Sequence, residues 1–204
     1  MENRPSNPLG AYVAKQIHAL LHDPNTAATR AALAKLRRGL GKEPGSQADL
    51  WPYTLQGLDA LNPYYFSKDG TPTSAEWATH LAMTLFALHQ QSSEPKKDPM
   101  HRAGVSLGAA VRQLVNCRGP MAENAIKRRL DALMTADSID ELSRHLRSMV
   151  QLLRAEGIAL DYARLAEDIH QFQDTAQRNR VRLRWGQDYY KRTKEEESHD
   201  ESAE

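Results

Sequence analysis

Apolar residues recur along most of this chain at the three-to-four-residue spacing of a helix. This pattern predicts an all-α fold with helices over residues 9–22, 73–90, 105–116, 120–135, 138–155 and 161–173, and a further helix that begins near Pro24. Only residues 180–185 alternate like a strand, so that segment is read as either a helix or an extended stretch. The helix over 73–90 is apolar around most of its circumference, which is typical of a central core helix.

Helix boundaries and a domain boundary are marked by particular residues. Thr73 with Glu76, and Ser138 with Glu141, have the spacing of capping boxes. Residues 92–99, SSEPKKDP, are typical of a linker. They predict an N-terminal helical unit over 1–91 and a C-terminal helical unit over 100–194, each a helical bundle. Residues 195–204 are expected to form a disordered acidic tail.

The net charge of +1 conceals two parts of opposite sign. Residues 195–204 contain six acidic groups and no Lys or Arg, and without them 27 basic groups face 20 acidic groups. From residue 101 onward there are 14 arginines but only three lysines. Because the guanidinium group is planar and binds phosphate oxygens in a bidentate manner, this preference favours a polyanionic partner.

Helical spacing places several of these arginines together on polar faces. Arg144, Arg147 and Arg154 lie on one side of the helix over 138–155, opposite its apolar side. A solvated face is the alternative interpretation of this stripe. Arg182 falls toward the apolar side if residues 178–192 are helical, and beside Arg184 if they are extended. The candidate nucleic-acid contacts are Arg30, Arg37, Arg38, Arg128, Arg144, Arg147, Arg182, Arg184 and Lys191.

Catalytic and cofactor chemistry is not indicated by the sequence. There is no glycine-rich phosphate loop, and no nucleophile with a matching acid and base stands out, so we predict a binding protein rather than an enzyme, with no cofactor. His18 and His22 are spaced like a helical metal pair but have no evident third ligand, so no metal site is predicted. Cys117 is expected to be a half-buried, inert thiol. No apolar run is long enough to span a bilayer, and we expect a cytoplasmic protein without a membrane partner.

Short motifs spread over most of the chain resemble the CasB family, the small subunit of the type I-E CRISPR complex Cascade. They occur in the same order as in that family, and they lie at residues 34–39, 85–90, 100–101, 106–108, 128–130, 145–147, 160–162, 165–166, 181–186 and 189–190. The acidic residues 195–204 are not part of this pattern.

The resemblance implies a non-enzymatic, all-α subunit of an RNA-guided antiviral surveillance complex. Its expected partners are guide RNA, target DNA, other Cascade subunits and a second copy of itself, so that it would be present as a dimer. Guide pairing would supply sequence specificity, while the protein would hold phosphate backbones by charge. The alternatives are a helix-turn-helix DNA-binding regulator, which would prefer one operator sequence, and an adaptor whose basic stripes bind acidic proteins.

Overall fold

Helices account for nearly all regular structure in the computed structural model, which describes residues 8–22, 26–91, 93–95 and 97–191. The helices are α1 (Pro8–Leu20), α2 (Ala27–Arg38), α3 (Trp51–Thr54), α4 (Ser74–His89), α5 (Leu107–Arg118), α6 (Pro120–Thr135), α7 (Ile139–Ala155), α8 (Tyr162–Phe172) and α9 (Thr175–Tyr190). Short 3-10 turns occur at Ala48–Leu50 and Pro63–Tyr65. Within the described ranges, the one β-bridge is isolated and joins His101 to Leu160. The predicted all-α fold is therefore confirmed, and residues 195–204 lie outside the described residues.

The helix α4 forms the centre of the fold, as its all-round apolar pattern predicted. Almost every residue of α4 is buried, and it packs against α1, α2, α7 and α8. Its start is fixed by the predicted capping box, in which the Thr73 hydroxyl accepts from the Glu76 backbone N–H at 3.2 Å while the Glu76 carboxylate accepts from the Thr73 N–H at 2.7 Å. Such reciprocal bonds satisfy two backbone donors that a helix end leaves free.

One hydrophobic core extends across both sides of residues 92–99. Its members range from Leu9 in α1 to Tyr189 in α9. The buried His89 side chain of α4, predicted as a core histidine, is hydrogen-bonded through Nδ1 to the Tyr162 hydroxyl of α8 at 2.8 Å. The division at 92–99 stays a prediction, and the packing joins α4 directly to helices from beyond it.

Helix α9 packs closely against α5 through a glycine. A Cβ on Gly108 would lie 2.8 Å from the Tyr189 backbone nitrogen, and closer still to the Trp185 carbonyl oxygen. Since both atoms belong to the backbone, neither can move aside as a side chain would. Val181, Trp185 and Tyr189 are buried on the inner face of α9, which settles the open choice for this segment in favour of a helix.

Three details of the sequence prediction were wrong. Helix α2 begins at Ala27 with Thr26 as its N-cap, since the Thr26 hydroxyl accepts from the Thr29 N–H at 3.1 Å, whereas Pro24 lies outside the described residues. The second capping box is incomplete: Ser138 caps α7, but the Glu141 carboxylate accepts from the Asp137 N–H instead. Cys117 is exposed near the end of α5 rather than half-buried.

Candidate nucleic-acid interface

The polar face of α7 presents arginines that form no salt bridge within the described residues. Ser138 caps the helix, and its apolar side is buried against the core, as the periodicity predicted. Arg144 and Arg147 are both exposed. The Arg144 Nε donates to the Asp140 carbonyl oxygen at 3.4 Å, which leaves its charge without an acidic partner.

Arginines of α2 lie beside those of α7, although the two helices are far apart in the sequence. Burial lowers the pKa of Arg37, and the positive charge of Arg154 lowers it further, because like charges repel. Arg154 donates from Nη1 to the Gln91 side-chain oxygen at 3.0 Å, so its direct partner is neutral. Two half-buried cations from different helices therefore repel each other electrostatically, and neither forms a salt bridge in the described part of the chain.

The loop after α2 connects the two sets of cations. The Nη1 of Arg147 lies 4.0 Å from the place where a Cβ on Gly41 would stand, so the guanidinium group lies next to this loop. Gly41 has a φ of +76°, a conformation that glycine adopts without strain. Beside it is a groove of about 480 Å³, which is lined by Gly41, Lys42, Glu43, Trp77, Asp140, Ser143 and Arg144.

We call these six basic residues the α2–α7 cationic surface: Arg37, Arg38, Lys42, Arg144, Arg147 and Arg154. Acidic groups lie at its border. Asp49 is 3.6 Å from Arg38, but both side chains are well exposed, so the pair is screened by solvent and contributes little. Glu43 and Asp140 line the groove and partly offset Lys42 and Arg144 there.

The arginines of α9 are engaged within the protein. Arg182 donates from Nη2 to the Ala136 carbonyl oxygen at 2.9 Å and lies 3.3 Å from Asp137. Its guanidinium group also lies over the Phe172 ring, 5.6 Å from the centroid. These contacts join α9 to the α6–α7 connection, and they match the helical alternative, in which Arg182 points toward the apolar side.

Arg184 is held in the same way by a buried carboxylate. Its Nη2 donates to Asp168 at 2.7 Å and to the Gln171 side-chain oxygen at 2.8 Å. Asp168 is only 1% exposed and also accepts from the Trp185 indole N–H at 2.8 Å. Arg182 and Arg184 thus have structural contacts that a phosphate would have to displace.

The other candidates are exposed at separate places. Arg30 lies in the first half of α2, Arg128 on α6, and Lys191 directly after α9. No contact found among the described residues links them to the α2–α7 cationic surface. Sequence reasoning missed Lys42, since a loop has no periodicity, and it left Arg154 out of the candidate contacts.

The family model for CRISPR-associated protein Cse2 matches residues 32–190, which is most of the chain. This chain belongs to the Cse2 family, the CasB family of type I-E Cascade. The family resemblance predicted from the sequence motifs is therefore confirmed. Cse2 membership makes the chain a subunit of Cascade, and the family is a structural subunit rather than a known enzyme.

Solved Cse2 and CasB structures share this fold. The chain is similar to crystalline CasB from Thermobifida fusca, with a TM-score of 0.70 and 32% identity over 91% of this chain and 99% of that one. CasB from M. ruber matches with a TM-score of 0.63 and 24% identity over 97% and 98% of the two chains. A Cse2-family protein from Thermus thermophilus matches with a TM-score of 0.61 and 23% identity over 91% and 97%. A comparison with curated protein sequences gave no match.

The Cse2 match includes all six residues of the α2–α7 cationic surface, whereas Arg30, Lys191 and residues 195–204 lie beyond it. The described residues contain no cluster of three or more potential metal ligands. His18 and His22 line a cavity of about 650 Å³. No helix in the described part of the chain is long and apolar enough to cross a membrane.

Proposed function

We propose that this Cascade subunit holds the phosphate backbones of guide RNA and target DNA on the α2–α7 cationic surface. Its role is to stabilise strands whose sequence is read by base pairing with the guide, not by the protein. Arg37, Arg38, Arg144 and Arg147, together with Lys42 and Arg154, are the main contacts. Arg30, Arg128 and Lys191 are secondary, and Arg182 and Arg184 mainly hold α9 in place.

The observation that carries this proposal is that the Arg147 guanidinium group of α7 lies next to the loop after α2, so cations of both helices border one surface. Like charges close together and half-buried raise the free energy of a protein unless an anion joins them. Arg37 and Arg154 repel each other in this region, and neither has a carboxylate partner within the described residues. A phosphate backbone supplies repeated negative charges at a spacing that several such cations can contact together.

Salt dependence of binding provides the test. Fluorescence anisotropy of the full chain with labelled single-stranded DNA, duplex DNA and RNA would be measured over a salt series. Six phosphate contacts predict that log K for a single strand falls with log salt at a slope of about −4. Unlabelled oligonucleotides of unrelated sequence should displace the labelled strand almost equally well.

Other outcomes would identify a different function. Strong preference for one duplex sequence would support the helix-turn-helix alternative and contradict ours. Failure to retain any nucleic acid near physiological salt, with stable binding to an acidic protein, would support the adaptor. A second copy of the chain in the complex is also part of the proposal, and sedimentation of the purified protein tests it separately.

A further inference from the structure

Trp51 presents its indole ring to solvent from an anchored position. It is the first residue of α3 and is 46% exposed. The preceding residue, Leu50, is buried and fills the space that a side chain on Gly39 would need. The Trp51 indole N–H donates to the Gly45 carbonyl oxygen at 3.3 Å, which restricts the rotation of the ring. An exposed aromatic ring held in one orientation loses little entropy when another ring stacks on it.

The residues around Trp51 adjoin the α2–α7 cationic surface. Asp49, two residues earlier, contacts Arg38 at the end of α2. The loop that supplies the Gly45 carbonyl also contains Lys42, and at Gly41 it lies against Arg147. The ring therefore stands at the border of the surface that we propose binds phosphates.

Three other aromatic side chains are less suited to receive a ligand. Trp185 is fully buried. Trp77 is half-buried in the groove, so less of its ring is open to solvent than that of Trp51. Tyr64 is 77% exposed, but the Lys68 ammonium lies over its ring at 5.3 Å from the centroid.

We infer that Trp51 stacks on an unpaired base of a single strand whose phosphates lie on the α2–α7 cationic surface. This inference rests on the proposed function and adds the class of substrate: a strand with accessible bases. In a duplex each base is already stacked between its neighbours, so the indole has no free face to contact. Stacking on an aromatic ring tolerates any base, which agrees with binding that ignores sequence.

The test separates contact with a base from contact with the backbone. The full chain and its Trp51→Ala and Trp51→Phe variants would be titrated against a single-stranded oligonucleotide, an abasic oligonucleotide of equal length, and a duplex. We expect Trp51→Ala to weaken binding to the normal single strand about fivefold or more. Binding to the abasic strand and to the duplex should not change, and Trp51→Phe should retain most of the affinity.

Two controls complete the design. Tyr64→Ala removes an exposed aromatic ring whose face already carries Lys68, and it should leave all three affinities unchanged. The salt slope of Trp51→Ala should equal that of the unmodified chain, because no charge is removed.

Three outcomes would overturn the inference. Equal binding of Trp51→Ala and the unmodified chain to the normal strand would refute stacking, even if Arg144 and Arg147 variants lose affinity and so support the proposed function. An equal loss of affinity for the normal and abasic strands would mean that Trp51 affects only the protein fold or the contacts with the nucleic-acid backbone. Unchanged nucleic-acid binding with weaker assembly into Cascade would make Trp51 a protein contact. If the unmodified chain binds no nucleic acid, the proposed function itself fails.

Discussion

Replacing Arg144 and Arg147 with alanine should remove two backbone contacts without disturbing the fold. Both side chains are exposed on α7, and alanine has the highest helix propensity. Each phosphate contact with a single strand contributes about 0.7 to the salt slope. Loss of two contacts should therefore change the slope from about −4.2 to about −2.8, and weaken binding about 25-fold at about 0.1 M salt and about tenfold at about 0.2 M.

Fluorescence anisotropy with a labelled single strand over the salt series measures both quantities. The matched control is Arg129→Ala with Arg180→Ala, which removes two positive charges from exposed positions on α6 and α9. Its effect should be much smaller, because these residues lie outside the α2–α7 cationic surface. Equal losses in the two double variants would show that only net charge matters, and an unchanged slope in the α7 variant would refute the assignment of these arginines.

Three further predictions concern the fold and are measured by urea unfolding. Gly108→Ala should lower the free energy of unfolding by about 2 kcal/mol or more, because its Cβ meets the α9 backbone. The control Gly186→Ala, whose Cβ would have nothing within 4 Å, should raise the free energy of unfolding by up to about 1 kcal/mol. If Gly186→Ala were the more destabilising of the two, the close packing of α5 on α9 would be contradicted. Asp168→Asn should lower the free energy of unfolding by about 3 kcal/mol, since Arg184 loses its buried charged partner. An unchanged free energy of unfolding would mean that the pair of Arg184 and Asp168 does not contribute to stability. Burial lowers the pKa of His89 from 6.5 to about 4. As the pH drops through this range, the unfolded chain binds a proton before the folded chain does, so the free energy of unfolding falls. His89→Gln should make the free energy of unfolding depend less on pH over this range, and an unaltered pH dependence would contradict the assignment of this effect to His89.

Local sequence patterns predicted the helices well, because burial of a helix depends on residues three or four apart. The apolar side of α7 and the all-round burial of α4 followed directly from such spacing. The starts of helices were less predictable. The structure begins α2 at Ala27, after Thr26, where the sequence had suggested Pro24.

The partners of the arginines depended on tertiary contacts that no local pattern contains. Helical spacing placed Arg182 toward the apolar side of α9, but it could not reveal Asp137 or the Phe172 ring beneath the guanidinium group. The same limit applies to Arg37 and Arg154, which lie in separate predicted units but interact electrostatically because α2 and α7 both pack against α4.

The proposed surface is tested most directly by observing the arginine side chains while nucleic acid binds. In a two-dimensional NMR spectrum of the side-chain Nε–H groups, titration with a single-stranded oligonucleotide should shift the signals of Arg37, Arg147 and Arg154. The signals of Arg182 and Arg184 should stay in place, because their guanidinium groups are already bound within the protein. Shifts confined to the arginines of α9, with those of α2 and α7 unchanged, would contradict the proposed interface.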